Sequence, residues 1–185
     1  MLEIRWHGRG GQGAVTSGEM LTLAAIEEDK YGQGFPMFGP ERRGSPVAAF
    51  TRVDEKQIKI RHYIYKPDAV VVLDAGLVDV VDVTEGLKPE GVIVINTSMS
   101  AEEMKKKLGF SGKVATVDAT RIAWDELGVP IVNTTMLGAL LKVVPIVKVA
   151  SLKTPLEERF GRIAKKNINA LNRAYKEVKI SKQSK

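Results

Sequence analysis

Three short aliphatic runs, Ala69–Leu73, Val92–Ile95 and Val114–Val117, are rich in β-branched residues and bounded by Pro or Gly. They read as parallel strands buried on both faces. Each ends in a small polar residue, Asp74, Asn96 or Asp118, ahead of a helix-compatible stretch, so strand, turn and N-cap recur three times. The opening residues behave differently. Leu2, Ile4 and Trp6 alternate with Glu3, Arg5 and His7, the pattern of a half-exposed strand. Val47–Val53 and Gln57–Ile60 flank Asp54-Glu55-Lys56 and predict an antiparallel hairpin.

Apolar positions in 14–28 predict a first helix. The following stretch, Tyr31 to Pro46, holds four Gly and three Pro and reads as a long loop. Near the end, Thr154-Pro155-Leu156-Glu157 offers an N-cap, a proline at the first helical position and a capping-box Glu. The long helix it opens carries Leu156, Phe160, Ile163, Ala164, Ile168, Leu171, Ala174 and Tyr175 on one stripe. The expected architecture is α/β: a three-layer Rossmann-like domain with a mixed, largely parallel central sheet and a long C-terminal helix. One domain spans 1–178, and 179–185 form a basic tail that frays.

Composition removes several kinds of chemistry. With no cysteine among 185 residues, the chain supplies no disulfide, thiolate nucleophile or cysteine ligand for an iron–sulfur cluster. His7 and His62 lie far apart in sequence, so no metal site is expected. The start lacks the apolar run of a signal peptide, which points to the cytoplasm. The apolar stretch 131–150 is interrupted by Asn133, Lys142, Pro145 and Lys148. Each lysine would cost roughly 2.5 to 3.5 kcal/mol in a membrane, so no membrane contact is expected. A net charge of +6 favours an anionic partner, and the Lys-rich, Cys-free composition is of a kind common in heat-loving organisms. The lysines are dispersed and no basic–aromatic module stands out, which argues against nucleic acid.

Gly8-Arg9-Gly10-Gly11-Gln12-Gly13 follows a predicted strand and opens a predicted helix. In that context glycines let the backbone approach a phosphate, and unpaired N–H groups with the helix dipole attract its charge. The alternative is a tight turn that serves only helix–sheet packing. A dinucleotide fits less well, because the first strand alternates and no acidic residue closes the second strand; Glu27, Glu28 and Asp29 fall on the preceding helix. The segment Phe35–Ser45 joins aromatic and Met surface to Arg42 and Arg43, an anion or subunit contact, or else a loop whose Phe35 and Phe38 tuck into the core. Asn133 and Thr134 open a helix whose small residues allow close approach of a helix or ligand. Asp74 and Asp118 read as strand-end caps, and no catalytic constellation is visible.

Three segments carry a family resemblance: Arg5-Trp6-His7-Gly8-Arg9-Gly10-Gly11-Gln12-Gly13-Ala14, Gly39-Pro40-Glu41-Arg42-Arg43-Gly44, and Asn133-Thr134-Thr135-Met136-Leu137-Gly138-Ala139. In this order and spacing the chain resembles the gamma subunit of the 2-oxoacid:ferredoxin oxidoreductases. That family includes pyruvate:ferredoxin oxidoreductase (pyruvate synthase) and its branched-chain relatives. The resemblance implies a complex of alpha, beta, gamma and delta-type subunits that decarboxylates a 2-oxoacid on thiamine diphosphate. Electrons pass through iron–sulfur clusters to ferredoxin, and the acyl group passes to coenzyme A. Thiamine diphosphate and the clusters would reside in the partner subunits. This chain would contribute coenzyme A binding and assembly, through Gly8, Arg9, Gly10, Gly11, Gln12, Gly13, Arg42, Arg43, Asn133 and Thr134, with no catalytic residue of its own. A purely structural subunit and an NAD(P)- or flavin-binding oxidoreductase remain the alternatives.

Overall fold

The β-branched runs lie inside a sheet because both of their faces are covered. A computed structural model describes residues 1–37 and 43–182. In it β4 (Ala69–Val72), β5 (Val92–Asn96) and β6 (Lys113–Val117) pair in parallel, with Val70 opposite Ile93 and Ile93 opposite Val114. Val71, Val94 and Ala115 face one helical layer; Val70, Val72, Ile93 and Val114 face the other. Among the described residues seven strands, these three with β1 (Leu2–Arg9), β2 (Tyr31–Pro36), β3 (Pro46–Asp54) and β7 (Lys179–Ile180), form one mixed sheet in the order β2-β3-β1-β4-β5-β6-β7.

The alternation of β1 (Leu2–Arg9) does not mark a half-exposed strand. β1 is interior, antiparallel to β3 (Pro46–Asp54) and parallel to β4. Ile4 and Trp6 enter the apolar layer. Arg5 lies on the opposite face, buried, donating from Nη2 to the carbonyls of Val83 (3.1 Å) and Glu85 (2.6 Å). Alternation here records two kinds of cover, an apolar helix and a loop that presents carbonyls.

Two further expectations change. The glycine-rich stretch after the first helix begins as an edge strand, β2 (Tyr31–Pro36), paired with β3. Its glycines serve close packing: a β-carbon on Gly32 would stand 2.9 Å from Thr22 Cγ2, and one on Gly34 2.9 Å from Thr22 Oγ1. Gln57–Ile60 forms no strand, because β1 and β2 already occupy both sides of β3. At the centre of that trio Arg52 is fully enclosed. It donates to Glu3 Oε1 (2.8 Å), Gln33 Oε1 (3.2 Å) and the His62 carbonyl (2.8 Å), and its guanidinium lies over the Phe35 ring.

α1 (Ala14–Ile26), α3 (Ala119–Leu127), α4 (Asn133–Val143), α5 (Lys153–Phe160) and α6 (Ala164–Glu177) build one outer layer. The other contains α2 (Ala101–Leu108) and the 3-10 turn Ala75–Asp79, through Met104 and Leu77. Asp118 caps α3 and Asp74 caps the 3-10 turn, as their positions suggested. Asn96 instead ties β4 to the α3 entry, donating to the Leu73 carbonyl and to Thr120 Oγ1, while Ser100 and Glu103 close a capping box on α2. A β-carbon at Gly138 would overlap the Leu171 carbonyl, so α4 and α6 meet backbone to backbone.

The C-terminal helical run is stepped at the 3-10 turn Gly161–Ile163, where Gly161 has φ 49°. Thr154 does not cap it; Leu152 holds the N-cap position without a side-chain hydrogen bond. The expected frayed tail begins instead as β7 (Lys179–Ile180), antiparallel to β6, and the buried Ser181 accepts from Val114 N at Oγ (3.1 Å) and donates from N to the Val114 carbonyl (2.8 Å). No helix among the described residues is long and apolar enough to cross a membrane.

Candidate functional site

At the carboxyl end of β1 the chain reverses into α1 through residues 10–13. Gln12 closes this turn twice: its N–H donates to the Arg9 carbonyl (2.9 Å), and its Oε1 accepts from Arg9 N (2.7 Å). Gly11 (φ 93°) and Gly13 (φ 85°) occupy the left-handed region that glycine enters without penalty. The turn sits where the sheet divides, because α1 leads away to β2 while β4 lies on the other flank of β1. In open α/β sheets, ligands dock at such a switch point.

Asp74, at the end of β4, holds the turn in place. Its Oδ2 accepts from Arg9 Nε (2.9 Å) and Gln12 Nε2 (3.0 Å), and its Oδ1 from Gly76 N (2.9 Å). Burial would raise this carboxyl, but the hydrogen bonds from Gln12, Gly76 and Arg9 outweigh it and keep it below the usual carboxylate range. Sequence reading assigned Asp74 only the cap. Its reach to Arg9 and Gln12 depends on β1 and β4 being neighbours, which no local pattern encodes.

The glycines divide by what surrounds them. A β-carbon on Gly8 would press on Ala14 Cβ (3.3 Å) and Leu73 Cδ1 (3.4 Å); one on Gly13 would stand 2.8 Å from Asn133 Nδ2. Those two positions serve packing. A β-carbon on Gly11 would meet none of the described residues within 4 Å. Three residues on, α1 starts with no side-chain cap from the described residues, and the first N–H groups of a helix have no acceptor within it. Open space, uncapped amides and the positive end of the helix dipole therefore coincide, an arrangement that suits an anion.

Two other segments were expected here. Arg43 reaches the turn: it bridges Gly10, Gly10 N donates to the Ser45 carbonyl (2.9 Å), Gly44 N donates to the Gly10 carbonyl (3.1 Å), and the Arg43 side chain is exposed. Arg42 lies outside the described residues, as does Phe38. Phe35 packs beside Phe50, with ring centroids 5.4 Å apart. Asn133 stands against Gly13, buried, with its carbonyl accepting from Ser17 Oγ (3.3 Å). Thr134 lies behind it, fully buried, donating from Oγ1 to Asn167 Oδ1 (2.7 Å). Glycine turn, Arg43 and Asn133 thus converge, while Thr134 faces α6.

Among the described residues no acid follows the end of β2, where the chain runs Phe35-Pro36-Met37. The Glu28 carboxylate is occupied by Lys30 Nζ (3.1 Å), Lys148 N (2.5 Å) and Ser151 Oγ (2.7 Å). Among the described residues no group of three or more His, Cys, Asp or Glu could hold a metal ion.

Comparison with known proteins bears on this geometry. The family model described as pyruvate ferredoxin/flavodoxin oxidoreductase matches residues 3–177. The chain is 52% identical over 182 residues to the pyruvate/ketoisovalerate oxidoreductases common subunit gamma of Pyrococcus abyssi, covering 97% of this chain and 98% of that one. The crystal structure of pyruvate oxidoreductase subunit PORC from Thermotoga maritima superposes with a TM-score of 0.88 at 42% identity, over 98% of each chain. A 2-oxoglutarate:ferredoxin oxidoreductase from Magnetococcus marinus, solved with 2-oxoglutarate, coenzyme A and succinyl-CoA bound, shares the fold at a TM-score of 0.74 and 19% identity. That match covers 94% of this chain and 30% of the longer one.

Proposed function

The chain belongs to the pyruvate ferredoxin/flavodoxin oxidoreductase family as a gamma subunit, and on that premise we propose that its glycine turn receives phosphate groups of coenzyme A. The observation that carries this reading is the contrast among the glycines: Gly8 and Gly13 are explained by packing, whereas none of the described residues stands in front of Gly11 or caps the helix that follows. Amides at the α1 N-terminus would accept the negative charge, with exposed Arg43 beside them. Coenzyme A in the Magnetococcus enzyme, one part of which shares this fold, supports the same ligand.

The chain is one subunit of a 2-oxoacid:ferredoxin oxidoreductase. Having no cysteine, it contributes no thiolate ligands. In the proposed division of labour alpha, beta and delta-type partners hold thiamine diphosphate and the iron–sulfur clusters and reduce ferredoxin. The gamma chain anchors coenzyme A so that its thiol reaches the acyl group formed elsewhere. Its contribution to rate is then proximity.

Replacing Gly11 with Val in the assembled complex tests this. A β-branched residue at φ 93° is strained and projects into the proposed phosphate space. The KM for coenzyme A should rise about tenfold, the equivalent of roughly 1.4 kcal/mol. An unchanged KM in an intact complex overturns the reading and leaves an assembly role for the turn.

A further inference from the structure

β2 is the last strand on its side of the sheet, and among the described residues only β3 pairs with it. The register shows which of its groups face outward. Met37 N donates to the Ala48 carbonyl (2.9 Å), so opposite pairs alternate from there, and Phe35, Gln33 and Tyr31 turn their amides and carbonyls to β3. The N–H and C=O of Gly32 and Gly34, and the Pro36 carbonyl, therefore point away from the sheet. Natural sheets blunt such an edge with charged side chains, bulges or a covering element. β2 carries no charge, pairs with β3 without a bulge and has its proline only at the last position.

A groove of about 420 Å³ lies beside this edge, between α1 and α5, with Gly34 in its lining. Met20, Leu23 and Pro155 supply its apolar surface, and Glu19, Glu158 and Arg159 form an exposed charged rim. We propose that the β2 edge and this groove together bind an extended segment of another subunit of the oxidoreductase. The segment adds as a further antiparallel strand, sets an aromatic side chain in the groove and brings a basic residue to the rim. No residue of the groove belongs to the glycine turn, so the proposal stands apart from the coenzyme reading.

The glycines select the occupant. A β-carbon on Gly32 or Gly34 would run into Thr22 of α1, so both positions face the α1 side of the sheet. Residues directly opposite each other in an antiparallel pair share a face. Those opposite Gly32 and Gly34 on an added strand thus project on the side where the groove lies. Glycine fills none of that space, and a large ring from the neighbouring strand covers it best. A second copy of this chain fits poorly: β2 paired antiparallel with itself sets Gly32 and Gly34 opposite one another or opposite Pro36, with no large side chain for the groove. The rim holds two carboxylates to one guanidinium, and α5 commits Lys153 to Glu157 (3.9 Å), so a basic residue completes the charge pattern. Arg52 already fastens β2 to β3 through Gln33 and Phe35. The template is therefore ordered before the partner arrives, and the ordering cost falls on the added strand alone.

The test is made in the assembled complex. Leu23, exposed on α1, is replaced by the photo-crosslinker p-benzoylphenylalanine, and the peptide attached after irradiation is sequenced. The expected product is a segment of a different subunit that bears an aromatic side chain with a neighbouring Lys or Arg. A cross-link to a second copy of this chain, a segment without an aromatic residue, or no cross-link overturns the proposal. Leu23→Glu, and the double variant Glu19→Lys with Glu158→Lys, should each raise about tenfold the concentration at which half of this chain leaves the complex on dilution, with the urea midpoint of the chain unchanged. Unaltered retention in both variants overturns the proposal as well. Should Leu23→Glu fail to fold, the exposed rim variant decides alone.

Discussion

Two helix N-termini meet at the carboxyl edge of the sheet, and they are filled differently. At α4 the polar atoms turn inward: Asn133 Oδ1 accepts from Thr134 N (2.8 Å), and the Thr134 hydroxyl is committed to Asn167. At α1 no side chain among the described residues closes the end, and Gly11 leaves room in front of it. Both sequences, Gly10–Gly13 and Asn133–Thr134, suggest an anion site when read alone. Burial separates them. A helix start becomes a binding surface only where its own fold has not already supplied the acceptor.

The strongest way to break the contrast is to force the two ends apart. Gly13→Ala puts a methyl 2.8 Å from Asn133 Nδ2 and a β-carbon at φ 85°. Unfavourable φ and overpacking together should cost about 3 kcal/mol in urea unfolding; a loss under about 1 kcal/mol would mean that Asn133 moves aside freely. Next in size is a pH effect on the opposite face. His7, beside Arg5, Asp82 and Glu85, is held neutral with its pKa lowered to about 4 from 6.5. The unfolded chain binds this proton first, so stability should fall as pH drops through 6.5 and level off below about 4. The loss attributable to His7 is about 3 kcal/mol. It should be missing in His7→Leu when the two pH profiles are compared.

Smaller effects sharpen the comparison at its two poles. Thr134→Val leaves the Asn167 Oδ1 acceptor unpaired and should lower stability by about 1.5 kcal/mol with the coenzyme A KM unmoved; a raised KM would return Thr134 to the ligand. Gly11→Ala has the space but not the favoured φ, and should cost about 1 kcal/mol in the same unfolding assay. Its coenzyme A KM should rise less than in Gly11→Val, and a larger rise would point to a rearranged turn.

Legibility followed the range of the interactions. The parallel strands β4, β5 and β6 could be read from consecutive residues because burial on both faces leaves a nearly continuous apolar run, with Thr116 the polar member in β6. The glycine turn could be read because its φ requirements are local. β2 was hidden: Gly32 and Gly34 signal a loop until Thr22 is known to lie against them. β1 was misjudged because the groups that satisfy Arg5 come from residues 83 and 85. Asp74 looked like a cap and is one. Its hold on Arg9 and Gln12 crosses from one strand to the next. In each case the missing information was which segment lies alongside.

Arg52 gives the β2 side of the sheet a property that a static picture does not display. An edge strand usually opens ahead of its neighbours, and its amide hydrogens exchange early. Here one enclosed guanidinium on β3 joins Glu3 of β1, Gln33 of β2 and the carbonyl of His62. Releasing β2 exposes part of a charge that has no other access to water, so opening the edge should require opening the trio. Exchange in β2 would then follow the slower rate of β1 and β3, and the three strands would behave as one kinetic unit.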